Sequence, residues 1–194
     1  MKLLIGLLFT LFSVSSTGLA QSEANEIREL LESRDVEIKE LLGPSGTDYT
    51  QEQRDQLKDI INDVIHYRSM AQYALGNTYD ELSSETREEF VSLFSTIIRD
   101  NSLNRLDIYR ANVIYENIDV NGNSAYVETT AELENVRTTV AYNMELIDST
   151  WMITDMTIDE VSTAESYNRQ FQSIIRQRGF DALLESLRRR AARA

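Results

Sequence analysis

Few residue types in this 194-residue chain stand in patterns that could do covalent chemistry. There is no cysteine and a single histidine, so thiol nucleophiles are excluded and a zinc site of clustered His and Cys cannot be assembled. A Ser-His-Asp arrangement would have to use His66, and no Gly-x-Ser-x-Gly elbow accompanies it. His66 lies between Ile65 and Tyr67 on the flank of a helical stripe and reads as a surface or edge residue. No Gly-x-x-x-x-Gly-Lys phosphate loop and no dinucleotide fingerprint occurs. Carboxylate pairs such as Glu88-Glu89 and Asp159-Glu160 read as solvated faces in a chain of net charge −13, rather than as an acid–base pair. Asp155 stands apart because it interrupts an apolar strand. It reads as an exposed strand position or as the cap of a nearby helix, and the competing role is a carboxylate in a polar pocket. No catalytic residue, metal ligand or cofactor site is assigned, and the chain reads as non-enzymatic.

The N-terminus sets the expected compartment. Lys2 is followed by an apolar run from Leu3 to Val14, then by small residues ending in Gly18-Leu19-Ala20. That is the form of a secretory signal peptide, residues 1–20, cut after Ala20. The run is shorter than the roughly 20 apolar residues of a membrane span. The remainder, residues 21–194, has the length of one ordinary domain. Without cysteine, an exported chain must rely on its core alone. The acidic balance argues against nucleic acid as a partner. Charge is uneven, however: from Arg169 onward seven arginines face only Asp181 and Glu185, and this basic end reads as a solvated helix terminus.

Periodicity supplies the elements. Ser22 to Leu42 has apolar residues at helical spacing and stops at Gly43-Pro44-Ser45-Gly46. Thr50 with Gln53 forms a capping-box pattern, opening one helix through Leu57, Ile61, Val64 and Ala71 to Gly76-Asn77. Ser83 or Ser84 caps the next, with Phe90, Phe94 and Ile97 on its stripe. After Leu106 the period changes to two, from Tyr109 onward. Asn121-Gly122 marks a hairpin, and Ala125, Val127, Thr129, Ala131 and Leu133 alternate inward on the return. A third strand carries Val140, Tyr142, Met144 and Leu146, a fourth begins at Trp151, and two helices split at Gly179 close the chain. Helices, then an antiparallel meander, then helices indicate α+β: N-terminal helices, a curved four-stranded antiparallel sheet, and C-terminal helices packed on it.

Scattered positions over about Leu57 to Leu187 carry a resemblance. Trp151, Asp155, Val161-Ser162, Tyr167, Arg169, Phe171, Gly179, Leu183 and Leu187 follow one another in the C-terminal half. Ala74-Leu75-Gly76, Leu82-Ser83, Arg87, Phe90 and Phe94 precede them. In this pattern the chain resembles the MlaC-type periplasmic phospholipid-binding proteins, also called the toluene-tolerance family. It departs at Glu160, where the family has Gly, and at Tyr79, where a Trp is common. The resemblance implies a periplasmic carrier that holds phospholipid by its acyl chains in an apolar cavity between sheet and helices. Its implied partners are phospholipid, an inner-membrane MCE-domain lipid transporter and an outer-membrane lipoprotein complex. The lining it implies is Val64, Tyr67, Met70, Ala71, Phe94, Val113, Tyr115, Tyr142, Met144, Val161 and Phe171, with Ser162 at the rim and Arg87 toward a lipid phosphate. Each lining residue is equally an ordinary core candidate, and Arg87 is equally a surface ion pair with Glu85 or Glu88. The alternative reading is an exported adaptor domain with a filled core.

Overall fold

The computed structural model describes residues 16–193. Of the expected signal segment, residues 1–15 lie outside these. Helices α1 (Ser16–Leu42), α2 (Gln51–Asn62), α3 (Tyr67–Leu75), α4 (Asn77–Glu81) and α5 (Ser84–Ser102) come first. A 3-10 segment, Leu103–Arg110, leads into strands β1 (Asn112–Asn121), β2 (Ser124–Leu133), β3 (Val136–Ile147), β4 (Thr150–Ile158) and β5 (Val161–Ser162). Helices α6 (Thr163–Arg178) and α7 (Phe180–Ala191) follow. The class is the expected α+β, with helices segregated to the two ends of the chain.

The sheet is antiparallel in the order β1-β2-β3-β4-β5, five strands rather than the expected four. The extra one arises because Asp159 and Glu160 adopt φ of 45° and 65°, a tight left-handed turn that folds Val161–Ser162 back onto Thr157 and Ile158. Two register shifts bend the sheet. Glu116 is the extra residue of β1, between Tyr115 and Asn117, and Thr154 that of β4, between Ile153 and Asp155. Such bulges increase local twist, which supplies the expected curvature.

The helix expected to run unbroken from Thr50 to Ala74 is two helices. Its capping box forms as the sequence indicated. At Asp63 the chain leaves the helix and runs beside β4: Ile153 N donates to the Val64 carbonyl at 2.7 Å, and His66 N donates to that of Ile153 at 2.8 Å. Side chains branched at Cβ suit such an extended stretch, and Val64 and Ile65 both are. His66 then caps α3, its Nδ1 accepting from Ser69 N.

The first strand begins at Asn112, not Tyr109, because Arg110 has another task. Its guanidinium donates to the carbonyls of Gly43 and Leu42 and lies 2.7 Å from the Tyr49 hydroxyl. These carbonyls are orphan acceptors at the end of α1. Arg110→Ala is therefore expected to lower unfolding free energy by about 2 kcal/mol in urea denaturation. Arg137→Ala, which removes an exposed pair with Glu132, should change it by less than about 0.5 kcal/mol.

Among the described residues, three clusters hold most of the buried apolar side chains. One is wholly helical and joins α3, α5, α6 and α7 through Met70, Ala71, Phe90, Phe94, Phe171 and Leu187. A second lies on one face of the sheet, where Ala125, Val127, Met144, Trp151 and Ile153 meet Ile27 and Leu31 of α1, with Val64. The third joins the end of α1 to α2 through Ile38, Leu42, Leu57 and Ile61.

Candidate functional site

The sheet face carrying Ala125, Val127 and Met144 is the inner face. Register extends it in both directions. Val113 stands opposite Ala131, Tyr115 opposite Thr129, Val140 opposite both Thr129 and Ile158, and Ile158 opposite Val161. Apolar residues thus line this face from Trp151 and Val120 at one end to Leu133, Val136, Ile158 and Val161 at the other. The two halves differ in cover. The half around Met144 and Trp151 is buried under α1 and the Val64–Ile65 segment. Among the described residues, the other half belongs to none of the three buried clusters. Val136 is 63% exposed, Val161 55% and Ile158 38%. Leaving such a row uncovered is costly in water, and contiguous exposed apolar patches usually mark binding surfaces.

The expected lining residues divide between these places. Val64, Tyr115, Tyr142 and Met144 meet on the covered half of the inner face. Val113 and Val161 lie on the open half. Met70, Ala71, Phe94 and Phe171 are brought together elsewhere, in the helical cluster. There Phe94 packs edge-on against Phe171 at 6.0 Å and Tyr167 at 5.1 Å, and stacks on Phe90 at 5.9 Å. Ser162 caps α6, accepting from Glu165 N at 2.9 Å. Arg87 turns to neither Glu85 nor Glu88. It donates to the carbonyls of Tyr79 and Asp80 at 2.8 and 2.6 Å and lies over the Tyr79 ring, while Glu88 pairs with Arg68.

Four phenols are electrostatic neighbours in series: Tyr67 of α3, Tyr109 of the 3-10 segment, Tyr142 of β3 and Tyr115 of β1. Tyr67 donates to Asn62 Oδ1 at 2.6 Å, and Asn62 is itself buried, donating to Ser102 Oγ at 3.0 Å. Burial pushes Tyr109 and Tyr142 up to about 12, with Tyr142 adding to the shift of Tyr109. Burial likewise raises Tyr67 and Tyr115. All four therefore stay neutral hydrogen-bond donors at any physiological pH. A folded pKa above the unfolded value near 10 contributes stability that is complete below pH 10 and is lost as pH climbs through the folded value. Thermal melts should accordingly hold steady to about pH 10 and fall steeply toward pH 12.

Asp155 is 8% exposed, and its carboxylate is fully engaged. Oδ2 accepts from Ser162 Oγ at 2.5 Å and Oδ1 from Ala164 N at 2.9 Å. With the N-cap Ser162 it satisfies the first N–H groups of α6, one of the two structural roles the sequence allowed. A carboxylate favours a helix N-terminus, where unsatisfied N–H groups and the positive end of the dipole converge.

Two residue groups important to the inner face escaped sequence reasoning. Ile27, Leu30 and Leu31 of α1 lie against it, although their helical stripe points to no particular partner. Met156 and Ile158 of β4 belong to its open half, and the bulge at Thr154 hides their alignment with Trp151 and Ile153 from a simple count of two. Two surface recesses elsewhere, of about 180 and 230 Å³, share Arg190 and are edged by Asp100, Asn101, Arg193, Tyr167 and Gln170. Their size and polar rims do not suit an acyl chain.

Comparison with known proteins fits this architecture. The chain is similar to the phospholipid-binding protein from Ralstonia solanacearum, solved in complex with a phospholipid. The TM-score is 0.70, with 19% identity over 86% of this chain and 95% of that one. At that identity the likeness is one of fold. Curated protein sequences give no match. The profile of the MlaC protein family matches residues 38–189, which take in the whole sheet and every helix from α2 to α6. The chain belongs to the MlaC family.

Proposed function

We propose that this protein is a periplasmic phospholipid carrier that holds acyl chains along the inner face of its sheet. The observation that carries this reading is the largely apolar inner face, broken by Thr129 and Thr138 and left uncovered at Val136, Ile158 and Val161, in a chain of the MlaC family. The fold it shares with a protein solved in complex with a phospholipid supports it further. Each buried methylene contributes roughly 0.8 kcal/mol, so two long chains are stabilised by on the order of 20 kcal/mol when hidden from water. A carrier must therefore enclose them, and the adaptable Met144 and Met156 suit chains of varied length. The neutral phenols of Tyr115 and Tyr142, both on the inner face, offer donors to ester or phosphate oxygens. In the cell the same chain would exchange lipid with an outer-membrane lipoprotein complex and an inner-membrane MCE-domain transporter, after removal of residues 1–20.

One observation favours the adaptor reading: the covered half of the inner face is packed, as a filled core would be. Transfer of labelled phospholipid from donor to acceptor vesicles separates the two. A carrier speeds transfer in proportion to its concentration, and an adaptor does not. Ile158→Glu places a charge on the open half without burying it, and is expected to lower the transfer rate at least about tenfold while leaving the melting temperature within about 2 °C.

A further inference from the structure

Helix α1 is fastened unequally along its length. Its C-terminal end is locked: Ile38 and Leu42 are buried against Leu57 and Ile61, and Arg110 and Tyr49 bind the last carbonyls. Its first half is held by less. Ile27 and Leu31 are buried on the inner face of the sheet, and the Arg28 guanidinium lies 4.8 Å above the Tyr115 ring. Between these two parts, residues 32–37 contain no buried side chain, and the chief tie is the ion pair from Arg34 to Asp63 at 2.8 Å. Beneath the first half lies an unfinished bond: Trp151 is 2% exposed and its indole N–H has no acceptor. Buried donors are nearly always paired, and an orphan in an otherwise apolar layer marks a place that a ligand acceptor can complete. The open half of the inner face runs directly into this layer.

We propose that the first half of α1 as it stands after removal of residues 1–20, residues 21–31, is a displaceable strap over one end of the acyl-chain track. Resting on the carrier reading above, the proposal gives that site its gate. An acyl chain laid on Val140 and Ile158 extends along the face and takes the positions of Ile27 and Leu31. The strap lifts about the polar stretch 32–37, while Arg110 and Tyr49 keep the far end in place. With the glycerol end of the lipid at the strap and its chains running toward Ile158, an ester carbonyl supplies the acceptor that Trp151 lacks.

Hydrogen exchange read by mass spectrometry tests this on the whole chain. It is compared before and after loading from vesicles of phosphatidylethanolamine and phosphatidylglycerol, with lipid carriage checked on the same sample by native mass. Peptides within residues 21–31 are expected to exchange at least about tenfold faster once lipid is carried, while those of residues 38–42 and α5 keep their protection. Ile27→Ala/Leu31→Ala should take up lipid several-fold faster. Lipid carried with protection at 21–31 unchanged or increased overturns the strap and leaves the carrier reading standing, as does slower uptake by the double variant. A chain that carries no lipid overturns the carrier reading and the strap with it.

Discussion

Phe94→Ala is expected to lower unfolding free energy by about 3–5 kcal/mol, yet to leave the protein able to carry lipid below its melting point. Phe94 is fully buried among Phe90, Tyr167 and Phe171, three rings contributed by α5 and α6. Truncating it removes the transfer free energy of a phenyl group and opens a cavity that these rings cannot collapse to fill. Edge-on ring contacts add about 0.5–1.5 kcal/mol each to that loss. A chain of this size has on the order of 10 kcal/mol to lose, and the melting temperature should drop by on the order of 10 °C. The result separates two roles. If Phe94 lined the lipid site, truncation would weaken lipid carriage more than it weakened the fold. As a member of the helical cluster, it should do the reverse.

Asp155→Ala comes next, with an expected loss of about 3 kcal/mol in urea denaturation. The substitution strands the buried N–H of Ala164, removes the acceptor of Ser162 Oγ, and so loosens the start of α6. An unsatisfied buried donor costs about 1–3 kcal/mol, and loss of a helix cap typically about 1 kcal/mol more. Asp155→Asn keeps an oxygen for Ala164 and should lose only about 1 kcal/mol. Lipid transfer per folded molecule is expected to be unchanged in both, because the carboxylate points to the helix terminus and touches nothing on the inner face. An enzyme built on Asp155 would show the opposite, with turnover abolished by the Asn variant while stability barely moved.

The sequence made the helical half of this fold largely legible. Thr50-Gln53, Ser83 and Gly179 punctuate helices where they end and begin, because capping and left-handed turns demand particular residue types. The inward alternation of Ala125, Val127 and Thr129 on β2 was equally plain. What was hidden depends on partners distant in the chain. The break at Asp63–His66 follows from hydrogen bonds to Ile153, ninety residues on, while Val64 and Ile65 also fit a helical stripe. Tyr109–Arg110 alternates like a strand, but Arg110 is drawn to carbonyls of Leu42 and Gly43.

The candidate site was legible in composition and less so in assembly. Tyr115, Tyr142 and Met144 were rightly placed on one face by a period of two. Met70, Phe94 and Phe171 share the same apolar character, and no single-sequence signal says that they pack with each other rather than against the sheet. A stripe records that a face is buried, not what buries it. The bulge at Thr154 had the same effect on β4, turning a single apolar row into two sequence phases.

The central claim is that this protein holds phospholipid, and native mass spectrometry of the purified chain tests it most directly. Purified gently, then stripped of lipid and reloaded from vesicles, the protein should show a resolved species heavier by the mass of one phospholipid, lost on stripping and regained on reloading. A chain that shows its own mass alone before stripping and after reloading, while remaining folded, would contradict the account.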